Sequence, residues 1–191
     1  AILAATLYDY SNNLDSVLLV APSDHMIPNI NAFHEAVSLA LKEVLNGKIM
    51  TFGIKPTRPE IGYGYLALES ATEKNPVAVK KFIEKPDLSM AKSMFQKKIY
   101  LWNSGIFMFR AKDLIKAFED IAPNFLDPVK KSIKNGKTDL GFFRFDKSAW
   151  SKCKNLSIDY AIMEKANNLA AVPFSSGWSD LGGWNSIWEE M

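Results

Sequence analysis

Apolar and polar positions alternate along this chain in blocks that change period, and the blocks predict a helix–strand series. Residues 1–10 have a helical pattern. Residues 16–21 form a mainly apolar run closed by Pro22, the pattern of a strand buried on both faces. Over residues 33–45, Phe33, Val37, Ala40, Leu41 and Val44 share one helical face, and Asn46-Gly47 supplies the C-terminal stop. Ile49–Ile54 is predicted as the next strand, which makes a strand–helix–strand unit with a right-handed crossover.

Further strands are predicted over Tyr65–Leu68, Val77–Ile83, residues 106–109 and residues 169–174, where Pro173 limits pairing. Asp87 is placed to cap a helix over Leu88–Phe95, and helices follow near residues 114–118, 129–133 and 157–166. The fold class is therefore α/β, a mostly parallel sheet flanked by helices. Ligands of such sheets bind beyond the carboxyl ends of the strands.

Composition narrows the setting. A chain of 191 residues with 48% hydrophobic and 23% charged residues suits one globular domain, residues 1–191, large enough to bury a core. A net charge of +2, with lysines scattered in short pairs, gives no footprint for nucleic acid. No apolar run is long enough to span a bilayer, and Cys153 alone cannot form an internal disulfide. The apolar N-terminus lacks a basic leader, so a soluble cytoplasmic protein is the expectation, with homo-oligomerisation open.

Five segments carry candidate chemistry, four of them before residue 106. Gly53 through Tyr65 threads two prolines and three glycines with charges and tyrosines; it reads as a strand end running into a shaped loop whose bare backbone at Gly62 and Gly64 admits a ligand, or as a plain structural loop. Asp24 and His25 follow the first strand, where Asp24 suits a metal or a turn. Glu84-Lys85-Pro86 ends the strand from Val77; its charges suit a sugar phosphate, or form a solvated pair. Trp102-Asn103-Ser104-Gly105 is tight-turn material, unless the Asn103 amide meets a hydroxyl.

Near the C-terminus, Asp180 in Trp178-Ser179-Asp180-Leu181-Gly182-Gly183-Trp184 could be a second metal ligand, or it or Ser179 could cap a helix near Trp184. Two aspartates without a His/Cys cluster favour magnesium over zinc. Cys153 is expected to be buried or incidental, His34 structural or exposed, and Asp159 to favour the dipole of its helix.

Taken together, Ala21-Pro22-Ser23-Asp24-His25, Gly53 through Tyr65, Phe82-Ile83-Glu84-Lys85-Pro86, Trp102-Asn103-Ser104-Gly105, Ser157-Ile158-Asp159-Tyr160 and Trp178 through Gly182 resemble the sugar nucleotidyltransferases, within them the bacterial mannose-1-phosphate guanylyltransferases. Ile61 stands where that family usually has threonine. The family's glycine-rich G-G-x-G-T-R loop has no match, so the resemblance implies a Rossmann-like transferase fold incomplete at its N-terminus, a piece of a longer protein and inactive by itself.

The resemblance implies joining of mannose 1-phosphate to GTP, giving GDP-mannose and pyrophosphate, with Mg2+ as cofactor. It maps Asp24 and Asp180 onto metal ligands, Glu84 and Asn103 onto sugar hydroxyls, Lys85 onto the sugar phosphate, and the Gly64 backbone onto the sugar. Asp24, Lys85 and Asp180 are the catalytic candidates. A transferase for another hexose 1-phosphate and a non-catalytic nucleotide-sugar-binding subunit are the competing readings.

Overall fold

The computed structural model describes residues 1–174, 177–182 and 188. In chain order its elements are α1 (Ile2–Asn12), β1 (Val17–Val20), α2 (Ile30–Leu45), β2 (Ile49–Ile54), β3 (Tyr65–Leu68), β4 (Val77–Ile83), α3 (Leu88–Phe95), β5 (Tyr100–Arg110), α4 (Ala111–Ile121), α5 (Leu126–Lys134), β6 (Lys137–Asp139), β7 (Phe142–Arg144), α6 (Lys147–Trp150) and β8 (Leu169–Pro173). A single wide π-type turn occupies Asp159–Met163 within the stretch expected to be an ordinary helix. The helix expected near Trp184 lies outside the described residues.

The chain, read above as one domain, divides into two compact units: Ala1–Leu18 with Arg110–Ala166, and Leu19–Phe109 with Asn167–Met191. In the first, α1 buries Leu3, Ala4 and Leu7 and packs against α4 and α5. Helix α4 buries Ala111, Leu114, Ile115 and Phe118, a stripe at three- and four-residue spacing. The hairpin β6–β7, which the periodicity did not reveal, turns through Leu140 and Gly141, both at positive φ. Such a two-residue loop matches the twist of the strands only with left-handed residues.

The second unit is built on the sheet, whose order is β1-β5-β2-β8-β4-β3, with a further pairing of β3 to β5. That pairing closes β5, β2, β8, β4 and β3 into a ring. The expectation of a mostly parallel sheet is corrected here: β2 runs parallel to β8, but β2–β5, β3–β4, β3–β5 and β4–β8 are antiparallel. Burial patterns do not encode strand direction, and the insertion of β5 between β1 and β2 separates the two strands that were read as a parallel neighbour pair.

Strand β1 also differs from expectation. It lies at the sheet's edge, and Leu19 is 43% exposed, so the run is not buried on both faces. Every residue of β2 and β3 is buried. On α2 the fully buried positions are Ala36, Ala40 and Val44, one helical stripe, whereas Leu41 stays exposed. The small alanines let the helix lie close to the sheet, and Phe33 reaches Phe52 and Phe174 at 5.5 Å each. The Asn29 side chain caps α2 and Asp87 caps α3, accepting from Ala32 N and Met90 N.

The turn reading of Trp102-Asn103-Ser104-Gly105 is overturned. These residues lie inside β5, which runs eleven residues rather than four. Between the partners Thr51↔Phe107 and Gly53↔Asn103 one residue of β2 faces three of β5, a bulge centred on Gly105 at φ +73°. A strand can absorb turn-forming residues where a bulge needs a left-handed glycine.

Candidate functional site

All six residues singled out for site chemistry (Asp24, Gly64, Glu84, Lys85, Asn103 and Asp180) lie in the second unit. They fall into two halves. On one side are Gly64, Glu84 and Asn103. The Gly64 carbonyl accepts from the Asn103 backbone amide at 2.8 Å, which fixes the loop exit onto β5. A Cβ at Gly64 would stand 2.6 Å from Glu84 Oε2, 3.3 Å from Phe82 Cζ and 3.4 Å from Asn103 Cβ. Glycine at 64 thus leaves room for the Glu84 carboxylate, a matter of close approach rather than of a special φ.

Asn103 is buried, and its Oδ1 accepts from the Thr51 hydroxyl at 2.8 Å and the Gly105 amide at 3.2 Å. Thr51 is itself fully buried on β2, so the carboxamide is held from the sheet. Because Oδ1 takes both donors, the NH2 edge is oriented away from Thr51. Glu84 has a side chain only 11% exposed, and the more exposed Lys85 ammonium lies 4.0 Å from Glu84 Oε1. Lys85 adopts φ +45°, a strained backbone for a lysine, immediately before the buried Pro86.

The other half carries the carboxylates. Asp24 sits in an exposed turn after β1. Met26 and Ser179 exchange both backbone hydrogen bonds, at 2.8 and 3.1 Å, in an isolated antiparallel bridge. Asp24 and Asp180 thus spring from backbone segments held side by side. Burial lowers the His25 imidazole below its ordinary value, while the charges of both Asp24 and Asp180 act to raise it. His25 Nδ1 accepts from the Trp178 indole N–H at 3.2 Å, so the neutral ring carries its proton on Nε2.

Residues not singled out from sequence join the halves. The Tyr63 hydroxyl donates to Asp180 Oδ1 at 3.0 Å, and the residue next to it is Gly64. Burial, then the bond to Asp180, pushes the Tyr63 phenol well above its ordinary range, so it stays a donor. Its ring lies edge-on to Trp102 and Trp178, at 5.2 and 5.4 Å. The Arg58 guanidinium sits 5.7 Å over Trp102, and Glu60 binds Arg58 at 3.1 Å. The Glu60 carboxylate also accepts from the Ile61 and Gly62 amides, and the Glu60 amide donates to the Tyr65 hydroxyl at 2.9 Å. A Cβ at Gly105 would stand 3.9 Å from His25 Cε1 and Pro22 Cγ, so the β5 bulge faces the His25 turn. A tyrosine flanked by glycines, with tryptophans in two other motifs, was the available signal for this cluster.

Asp24 and Asp180 are carboxylates, the donor type that a hard cation takes. Magnesium takes one or two carboxylates and completes its shell with phosphate oxygens and water. Among the described residues no group of three or more His, Cys, Asp and Glu side chains could hold a metal ion. Cys153, in the other unit, has its thiol pushed up by burial and is no activated nucleophile. His34 is exposed on α2, as expected. Among the described residues no helix is long and apolar enough to cross a membrane.

The nucleotidyl transferase family model matches residues 1–191. The chain is 43% identical over 187 residues to a xanthan biosynthesis protein XanB of Xanthomonas campestris pv. campestris, covering 98% of this chain and 40% of that protein. It is 40% identical over 179 residues to the mannose-1-phosphate guanylyltransferase RfbM of Salmonella typhimurium, covering 94% and 37%. The mannose-1-phosphate guanylyltransferase of Escherichia coli is 39% identical over 193 residues, with 99% and 40% covered. The chain thus spans about 40% of the length of the curated relatives it matches.

Among solved structures, a mannose-6-phosphate isomerase from Helicobacter pylori superposes with TM-score 0.82 at 25% identity, over 93% of this chain and 68% of that one. A protein of Thermus thermophilus described as a mannose-1-phosphate geranyltransferase does so with TM-score 0.82 at 26% identity, over 97% and 52%.

Proposed function

Because the chain belongs to the nucleotidyl transferase family, we propose that the protein transfers GMP from GTP to mannose 1-phosphate, giving GDP-mannose and pyrophosphate. The observation that carries the sugar half is the convergence of Gly64, Glu84 and Asn103, with Lys85 beside them. Similarity to relatives named mannose-1-phosphate guanylyltransferases supports the choice of mannose and guanine.

In this reading a phosphate oxygen of mannose 1-phosphate attacks the α-phosphorus of GTP. The bond from that phosphorus to the bridging oxygen breaks, and pyrophosphate leaves with its electrons. Positioning and charge neutralisation carry such a transfer. Glu84 accepts hydrogen bonds from sugar hydroxyls, the oriented Asn103 NH2 donates to another, and bare backbone at Gly64 lets the ring lie close. Lys85 brings its ammonium to the sugar phosphate. Asp24 and Asp180 would hold Mg2+, which when bound neutralises phosphate charge. XanB's name supports supply of the product to polysaccharide synthesis.

The test is pyrophosphate release by the full-length protein with each pairing of hexose 1-phosphate and nucleoside triphosphate. Mannose 1-phosphate with GTP should give the highest kcat/KM. A higher value with glucose 1-phosphate would replace the sugar assignment. Binding of GDP-mannose without turnover of any pair would make the protein a nucleotide-sugar-binding subunit.

A further inference from the structure

Asp180 is held in a way that its role as a cation ligand does not by itself explain. Oδ1 accepts two hydrogen bonds, from the Tyr63 hydroxyl at 3.0 Å and from the Gly182 amide at 3.1 Å. The second is a local turn bond, two residues along the chain. The first reaches across 117 residues of sequence. Oδ2 lies toward Gly182, where a Cβ would stand only 2.7 Å from it. One oxygen is thus committed to the protein, and the other faces Gly182.

The donor is as firmly placed as the acceptor. The Tyr63 ring is set edge-on against Trp102 at 71° and Trp178 at 70°. Trp178 is in turn tied to His25 through its indole N–H. The hydroxyl oxygen cannot leave Asp180 without moving a ring packed against two indoles. On the other side, Tyr63 adjoins Gly64, whose backbone lies against Glu84 and Asn103. A shift of Gly64 under a bound sugar must be felt at Tyr63.

We propose that Tyr63 is a positioning residue that locks Asp180 Oδ1, presents Oδ2 to the divalent cation as a one-oxygen ligand, and couples cation binding to occupation of the sugar pocket. The proposal rests on the reading of Asp180 as a cation ligand. A one-oxygen ligand suits magnesium, whose octahedral shell tolerates little distortion. Without the hydroxyl the carboxylate can rotate and offer either oxygen.

The experiment measures free Mn2+ by electron paramagnetic resonance as the full-length protein is titrated, with and without mannose 1-phosphate. Wild type is compared with Tyr63→Phe, Gly182→Ala and Asp180→Asn, and thermal melting is followed for each. Tyr63→Phe keeps both ring contacts and removes only the hydroxyl, so its melting should stay close to wild type. A lost hydrogen bond to a charged group weakens Mn2+ binding by roughly tenfold or more. The factor by which mannose 1-phosphate tightens Mn2+ should fall toward one, because coupling between two sites is reciprocal and needs the connecting element. Gly182→Ala, which crowds Oδ2 from the other side, should also weaken Mn2+ without touching Tyr63. Unchanged Mn2+ affinity and coupling in Tyr63→Phe, while Asp180→Asn loses binding, would overturn the role of Tyr63 alone. Unchanged binding in Asp180→Asn would overturn the cation reading, and the inference with it.

Discussion

Replacing Gly64 by alanine adds a single methyl group at the point where the loop, β4 and β5 meet. Gly64 has no positive φ, so alanine brings no backbone strain, and any effect comes from the space it takes. That space is occupied: Glu84 Oε2 lies 2.6 Å from the new carbon, and ordinary contact begins at 3.4 Å, a displacement of about 0.8 Å. Phe82 and Asn103 close the other sides at 3.3 and 3.4 Å, and Asn103 is pinned by Thr51. The Glu84 carboxylate is the part that yields.

Overpacking of this kind costs about 1–3 kcal/mol. With about 2–4 °C of melting temperature per kcal/mol in a domain of this size, the midpoint should fall by roughly 2–12 °C. Misplacing a substrate-binding group by about 1 Å costs up to about 100-fold in rate, so kcat/KM for mannose 1-phosphate should drop by roughly 10- to 100-fold in the full-length protein. Glu84→Asp in the same background shortens the side chain and should restore melting but not kcat/KM, a coupling that a double-mutant cycle reads directly. Pyrophosphate release and differential scanning calorimetry are the assays. A Gly64→Ala protein with wild-type kcat/KM would show that the sugar does not depend on this contact, and the placement of Glu84 in the site would be lost.

Glu84→Gln retains shape but removes charge, and should lower kcat/KM for the sugar phosphate roughly 10- to 150-fold, the effect of one charge-assisted hydrogen bond; sugar-phosphate titration kinetics check it. Asp87→Ala removes the α3 cap and should cost about 0.5–2 kcal/mol in a denaturant melt, with little effect on kcat. Glu60 is held below its ordinary value of 4.5, first by the Gly62 amide and also by Arg58. A depressed carboxylate stabilises the fold above the unfolded value, and that contribution fades as pH falls from about 4.5 through the lower folded value. Glu60→Gln should therefore flatten the acid limb of a stability-versus-pH curve, and an unaltered limb would exclude Glu60 as its source.

Much of the second unit was legible before the fold was seen. Ile49–Ile54, Tyr65–Leu68 and Val77–Ile83 are mainly apolar runs, preceded by Gly47-Lys48, Gly64 and Pro76, and the strands form where that pattern places them. The cap at Asp87 was equally local. Strand β5 was not legible over its whole length, because Asn103-Ser104-Gly105 is the chemistry of a turn, and only the partner strand shows it to be a bulge. Strand direction escaped for the same reason: pairing is a long-range property.

The site divides along that line. Gly64, Glu84 and Asn103 could be marked by motif, and the fold brings them together. Tyr63 and Trp178 could not be assigned partners, since their hydrogen bonds span 117 and 153 residues. No periodicity reports on a contact of that length.

The closure of β5, β2, β8, β4 and β3 into a ring has a dynamic consequence. A strand with a neighbour on each side cannot fray singly, because opening it breaks ladders on both flanks. Amide hydrogen exchange should therefore be slowest, and close to uniform, in the paired stretches of the ring, including Thr51 and Phe107. Among the described residues strand β1 has a neighbour on one flank only, and its outward amides should exchange through small local openings. Asn103 and Glu84 are carried on or beside the slow ring, whereas Asp24 follows the fast strand. The sugar-facing groups should hold their geometry through fluctuations in which the Asp24 segment takes part.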